Sequence, residues 1–228
     1  MASARRVGGI SALAILILLI AELATWGNPQ VTDPIGKLTD YFVGSRSLAL
    51  VSVFISMVLA IVYLVFGAAM RATIERNQRP AVLGDVAFGA AILMGACQLS
   101  LAMGTGALAL LGTDATENGL RLVVGLVSMM DLFRVLALGL LVGAVSIATL
   151  REGLAAGWIG WIGIVASALL LASQVAVLDP TGPIGNMGNA SMVGLLFLVV
   201  WLIGFGISLL RRTDASRPSW TTAEQVPG

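Results

Sequence analysis

An all-α polytopic membrane helix bundle with six transmembrane helices is the fold class this sequence predicts, and three observations predict it. The 228-residue chain is 58% hydrophobic and only 11% charged, where a soluble domain carries about 25% charge. Its apolar residues gather into six runs of about 20 residues or more, the length at which a helix crosses a bilayer core. Its basic residues collect at alternate ends of those runs. The expected organisation is one six-helix domain over residues 1–212 and a disordered cytoplasmic tail over 213–228.

Met1 to Arg6 is a basic lead into the first run, Val7 to Trp26, which at 1.5 Å per residue is about 30 Å long. The charged start resembles a signal peptide. The run is long, contains Glu22 and lacks a small-x-small cleavage site, so an uncut anchor is expected. Asn28 to Arg46 is a polar connection in which Asp33 is placed to cap a short helix beginning at Pro34. Ile35, Leu38 and Phe42 share one face of that helix, which predicts that it lies on the membrane surface.

The second run, Ser47 to Met70, carries Ser52, Ser56, Ala60, Tyr63 and Gly67 at helical spacing, a small or polar stripe that lets another helix approach closely. A basic loop follows, with Arg71, Arg76 and Arg79. The third run spans Val86 to Leu111, with Ala91, Gly95, Ala102 and Gly106 on one side and Gln98 at its edge. After an acidic turn holding Asp114 and Glu117, the fourth run extends from Leu122 to Leu150. The fifth, Ala155 to Leu178, belongs to a series spaced by sevens, Gly153, Gly160, Ser167 and Gln174, which keeps one seam. Trp158 and Trp161 suit a membrane interface. Asp179 to Asn189 is a Pro/Gly/Asn loop, and the sixth run, Ser191 to Leu210, stops at Arg211 and Arg212.

Lys and Arg counts orient the chain. One side collects nine (Arg5, Arg6, Arg71, Arg76, Arg79, Arg151, Arg211, Arg212 and Arg217) and the other three (Lys37, Arg46 and Arg121). By the positive-inside rule both termini are cytoplasmic. Counting about 20 residues outward from each cytoplasmic end leaves the third and fourth runs too long, over Gly106 to Leu111 and Leu122 to Met130. The two longer outer loops are the available cover, which predicts a small extracytoplasmic cap.

Several chemistries drop out. There is no histidine, which removes imidazole ligation of haem or metal and every dyad or triad built on an imidazole base. The single cysteine, Cys97, permits neither an intramolecular disulfide nor a dithiol relay. The nine methionines form no pairwise array for copper. The basic residues make no patch for nucleic acid. No cofactor, no metal and no enzymatic activity are expected.

The residues that remain are those that lipid tolerates least. Asp131 and Arg134 lie three apart on one helical face, with Ser128 a turn earlier. Intramembrane charges face protein or water and are the first place to look for function. The depth count puts Glu22 level with Arg134, with Asp131 above and Gln98 and Gln174 nearby. If they meet, Arg134 lies between two carboxylates. Such a cluster is either a structural lock or an outward-opening ligand or ion site.

The basic start before Gly8-Gly9, the six runs, and Leu150-Arg151 through Gly157-Trp158-Ile159-Gly160-Trp161-Ile162-Gly163 resemble a bacterial family of uncharacterised six-helix membrane proteins known only as a domain of unknown function. Ala155-Ala156 stands where that pattern commonly has proline. The resemblance implies a bacterial plasma-membrane protein and carries over no catalytic residues. The expected function is a non-enzymatic accessory or interaction subunit, with the lipid bilayer, and a second copy or another membrane protein, as partners. The alternative is a small transporter or ligand-binding protein using Glu22, Asp131 and Arg134.

Overall fold

The computed structural model describes residues 2–25, 33–75, 82–111, 116–175 and 188–215, and no strand occurs among them. The helices are α1 (Ala2–Thr25), α2 (Ile35–Thr39), α3 (Arg46–Ile74), α4 (Val82–Leu111), α5 (Glu117–Glu152), α6 (Gly157–Ser173) and α7 (Gly188–Ala215). A π-helical turn over Asp40–Gly44 joins α2 to α3. Five of these, α1, α3, α4, α5 and α7, are long and apolar enough to cross a membrane, while α6 is a shorter apolar helix.

Local chemistry sets several boundaries. Thr116 caps α5, its side chain accepting from the Gly119 N–H at 3.2 Å. At the other end Gly153 sits at φ 64°, a left-handed conformation that glycine adopts without strain, and its N–H returns to the Thr149 carbonyl. Gly153 therefore terminates α5 and does not join the seam read by sevens. The members of that series inside α6 keep it, since Gly160 and Ser167 are buried and the Ser167 hydroxyl donates to the Gly139 carbonyl of α5 at 2.7 Å. Asp33 also departs from its expected role. Pro34 stands at the N-cap of α2 with no side-chain cap bond, and Asp33 instead accepts from Lys37 Nζ at 2.9 Å.

Helices α1, α3, α4, α5, α6 and α7 close into a ring. Each packs against its sequence neighbour, α1 on α3, then α4, α5, α6 and α7, and α7 returns to α1. α1 and α3 run antiparallel, with Gly8 against Met70 at one end and Glu22 against Ser56 at the other. The predicted stripe on α3 faces inward, and Ser52, Ser56, Ala60, Tyr63 and Gly67 are all buried. Gly67 marks the closest approach: a Cβ there would lie 2.4 Å from the Ala91 Cβ of α4.

Two apolar clusters result. The larger fills the ring and includes Ile15, Leu59, Phe66, Met70, Leu141, Trp201 and Phe205. The smaller joins Leu38 and Phe42, from α2 and the π turn, to Leu108, Leu120 and Val124. This second cluster has a simple cause. α4 and α5 contain 30 and 36 residues, about 45 and 54 Å at 1.5 Å per residue, against about 30 Å of hydrocarbon. Their apolar excess needs cover, and the first connection supplies it. Of the loop expected to share this cap, Asp179 to Asn189, residues 179–187 lie outside the described residues and Gly188 and Asn189 begin α7; of the tail expected over 213–228, the first three residues continue α7 to Ala215 and the rest lie outside the described residues.

The outer surface of the ring is as apolar as its interior. Ile17, Phe54, Ile61, Met103, Phe133, Trp161 and Leu196 are all more than half exposed. A soluble protein does not present such a belt on every side, whereas acyl chains accept it.

Candidate functional site

Inside the ring, towards the capped end, four helices each send a polar side chain to one point. Glu22 comes from the last turns of α1, Ser56 from α3, Gln98 from α4 and Arg134 from α5. The Arg134 guanidinium donates to Glu22 Oε2 at 2.8 Å and to Gln98 Oε1 at 3.2 Å through Nη1, and Nη2 meets Asp131 Oδ1 at 2.6 Å. Glu22 Oε1 accepts from the Ser56 hydroxyl at 2.7 Å and from Gln98 Nε2.

These bonds form a closed cycle. The Gln98 amide donates to one Glu22 oxygen, its carbonyl accepts from Arg134, and Arg134 returns to the other Glu22 oxygen. Gln98 is fully buried, so its amide orientation is set by the two charges it bridges. Sequence spacing places it at the edge of its helix; the structure places it at the centre of the cluster. Arg134 reaches Glu22 across the ring although α5 and α1 are not ring neighbours. Only a long side chain with a planar, forked donor set serves both carboxylates and the amide.

Burial divides the cluster. The side chains of Glu22 and Arg134 are 10% and 21% exposed, while that of Asp131 is 46% exposed. The Glu22–Arg134 pair is thus a desolvated interaction, in which loss of one partner strands the other, and Asp131 is its wet flank. With two carboxylates and one guanidinium the group carries a formal charge of −1.

A small cavity adjoins it. Glu22, Ser52, Ser56, Thr105, Asp131 and Arg134 contribute its polar wall, and its volume of about 30 Å³ is room for about two waters. This arrangement holds charge, solvates it and restrains four helices. Its one hydroxyl contact, Ser56 on Glu22, engages a carboxylate that Gln98 and Arg134 also hold.

The sequence-derived residues divide plainly. The structure brings Glu22, Gln98, Asp131 and Arg134 together and leaves Gln174 apart. The Gln174 amide is spent on Leu170 O and Ser173 Oγ of its own helix, at 3.3 and 3.2 Å. Ser128 likewise turns back on its own helix, to Val124 O. Ser56, which the sequence marks only as one member of a packing stripe, is the residue missed. No signal in the sequence marks it as a carboxylate partner: that role follows from the register of α1 on α3, in which Gly8 lies against Met70, so that an antiparallel pair matching 8 with 70 matches 22 with 56.

Comparison of this chain with protein-family models, with curated proteins and with solved structures finds no match to any of them.

Proposed function

We propose that this chain is a six-span protein of a bacterial plasma membrane, with both termini cytoplasmic, acting as a non-enzymatic accessory or interaction subunit whose bundle is locked by the Glu22–Gln98–Arg134 cycle. The observation that carries this reading is that cycle. Both charges at its centre are consumed by partners within the bundle, and the space beside them is water-sized. The apolar outer belt supports the membrane setting, and the nine-to-three distribution of basic residues supports the orientation. α6, at 17 residues, spans about 26 Å as a helix, close to the thickness of a bilayer core.

A second reading rests on one feature. Asp131 is nearly half exposed and lines the same cavity as buried Glu22, which gives a small ligand or a proton a way to the cluster. A thermal-unfolding comparison of purified wild type, Glu22→Gln and Arg134→Gln separates the two. Loss of folded yield in both variants, with no stabilisation of wild type by a panel of small solutes, is the result expected of a lock. Well-folded variants and a solute that stabilises only wild type would replace the lock with a transport or binding site. Reporter fusions after Ala215 and within residues 176–187 test the orientation, with the first expected on the cytoplasmic side.

A further inference from the structure

On the outer face of the ring, away from the polar cluster, a groove of about 530 Å³ runs along α6 and α7. Its α7 wall is Val200, Ile203, Gly204, Ile207 and, at the end, Arg211. Steps of four, three and four from Val200 through Gly204 and Ile207 to Arg211 keep these on one face, a rise of about 16 Å along the helix. Trp158, 57% exposed, forms the opposite lip near the start of α6. Gly204 is where the two walls meet: a Cβ there would lie 3.3 Å from the Trp158 ring and 3.4 Å from Ile159.

The groove is polarised. It is apolar over most of its length, carries Ser208 near its end, and ends at the exposed Arg211. Arg71, Arg121 and Arg134 each hold a carboxylate, but no carboxylate among the described residues pairs with Arg211. An occupant complementary to this shape has an apolar tail and an anionic head. Trp158 beside the charged end matches the depth at which an indole meets headgroups.

We propose that the α6–α7 groove binds one anionic phospholipid, with an acyl chain along Val200, Ile203 and Ile207 and the phosphate on Arg211. The proposal rests on the membrane reading, which is tested separately by whether the chain needs detergent to stay in solution. A second copy of the chain fits less well, because the end of the groove presents a cation with no carboxylate partner among the described residues, which a symmetric partner would meet with the same charge.

The test is native mass spectrometry of the full chain in detergent, with equal amounts of phosphatidylglycerol and phosphatidylcholine of identical acyl chains. One phosphatidylglycerol should remain bound, preferred about fivefold, the effect of about one basic side chain near a headgroup. Arg211→Gln should bring the ratio near one and Arg211→Lys should keep it. Arg151→Gln, at the same end of the bundle but outside the groove, should leave it unchanged. Gly204→Leu should release both lipids; if that variant does not fold, quenching of Trp158 by brominated phosphatidylglycerol, absent in Trp158→Phe and weakened in Arg211→Gln, gives the same information. Equal retention of the two lipids by wild type, a preference that survives Arg211→Gln, or a dimer that excludes lipid would overturn the proposal.

Discussion

Towards the basic end, the interior of the ring is filled by aromatic and aliphatic side chains. Trp201 stacks on Phe205 with ring centroids 4.9 Å apart and planes within 6°, and Phe66 meets Phe205 edge-on at 6.4 Å. Towards the capped end, the same interior holds Glu22, Ser56, Gln98 and Arg134 in a hydrogen-bonded cycle. The two regions share the same helices and differ in what specifies the packing. Apolar contacts are non-directional and tolerate substitutions that keep volume. A desolvated ion pair tolerates almost none, because each member is acceptable in its place only while the other is present. In lipid, where acyl chains already solvate apolar surfaces, that directionality is what distinguishes one helix arrangement from another.

The largest effect expected from this contrast is that of Arg134→Gln, which leaves Glu22 charged and buried and should cost about 3–5 kcal/mol in unfolding free energy. Phe205→Ala at the other end should cost a similar amount, about 3–5 kcal/mol, from lost burial and a cavity. Rescue separates them. Phe205→Leu should recover most of its loss, while Arg134→Lys should recover little, since an ammonium does not reproduce the fork that serves Glu22, Gln98 and Asp131 together. Denaturant unfolding in detergent of all four variants checks this, and equal rescue at both ends would break the contrast.

Gly163→Ala comes next. A methyl there would fall 1.9 Å from Ser146 Oγ and 2.5 Å from Trp201 Nε1, so overpacking of about 1–3 kcal/mol is expected. Smallest is Asp131→Asn, expected to cost less than about 1 kcal/mol because its carboxylate is nearly half exposed. If thermal shifts ranked Asp131→Asn with Arg134→Gln, the wet flank would be as important as the buried pair.

Much of this was legible in the chain itself. Apolar runs and their basic ends are direct consequences of lipid as solvent, and depth counting from those ends was enough to put Glu22 level with Arg134. The overshoot of α4 and α5 and the amphipathic face of Leu38 and Phe42 are two readings of one requirement, since the excess apolar length needs that cover. What sequence did not supply was rotation and register. Gln98 looks marginal on its own helix because nothing local states which neighbour it faces. Gln174 has the right depth and the wrong rotation, and its amide returns to its own backbone. Gly153 fits a spacing of seven yet serves as a left-handed stop, because a turn between two antiparallel helices needs such a residue. Ser56 is the clearest case: a small residue in a packing stripe became a carboxylate partner through the register of α1 on α3.

A double-mutant cycle between Glu22 and Arg134 tests the central claim most directly. Unfolding free energies of wild type, Glu22→Gln, Arg134→Gln and the double variant should give a coupling of about 2 kcal/mol or more, with the double variant more stable than Arg134→Gln alone. Additive losses would contradict the lock and leave the bundle held by its apolar core and cap alone.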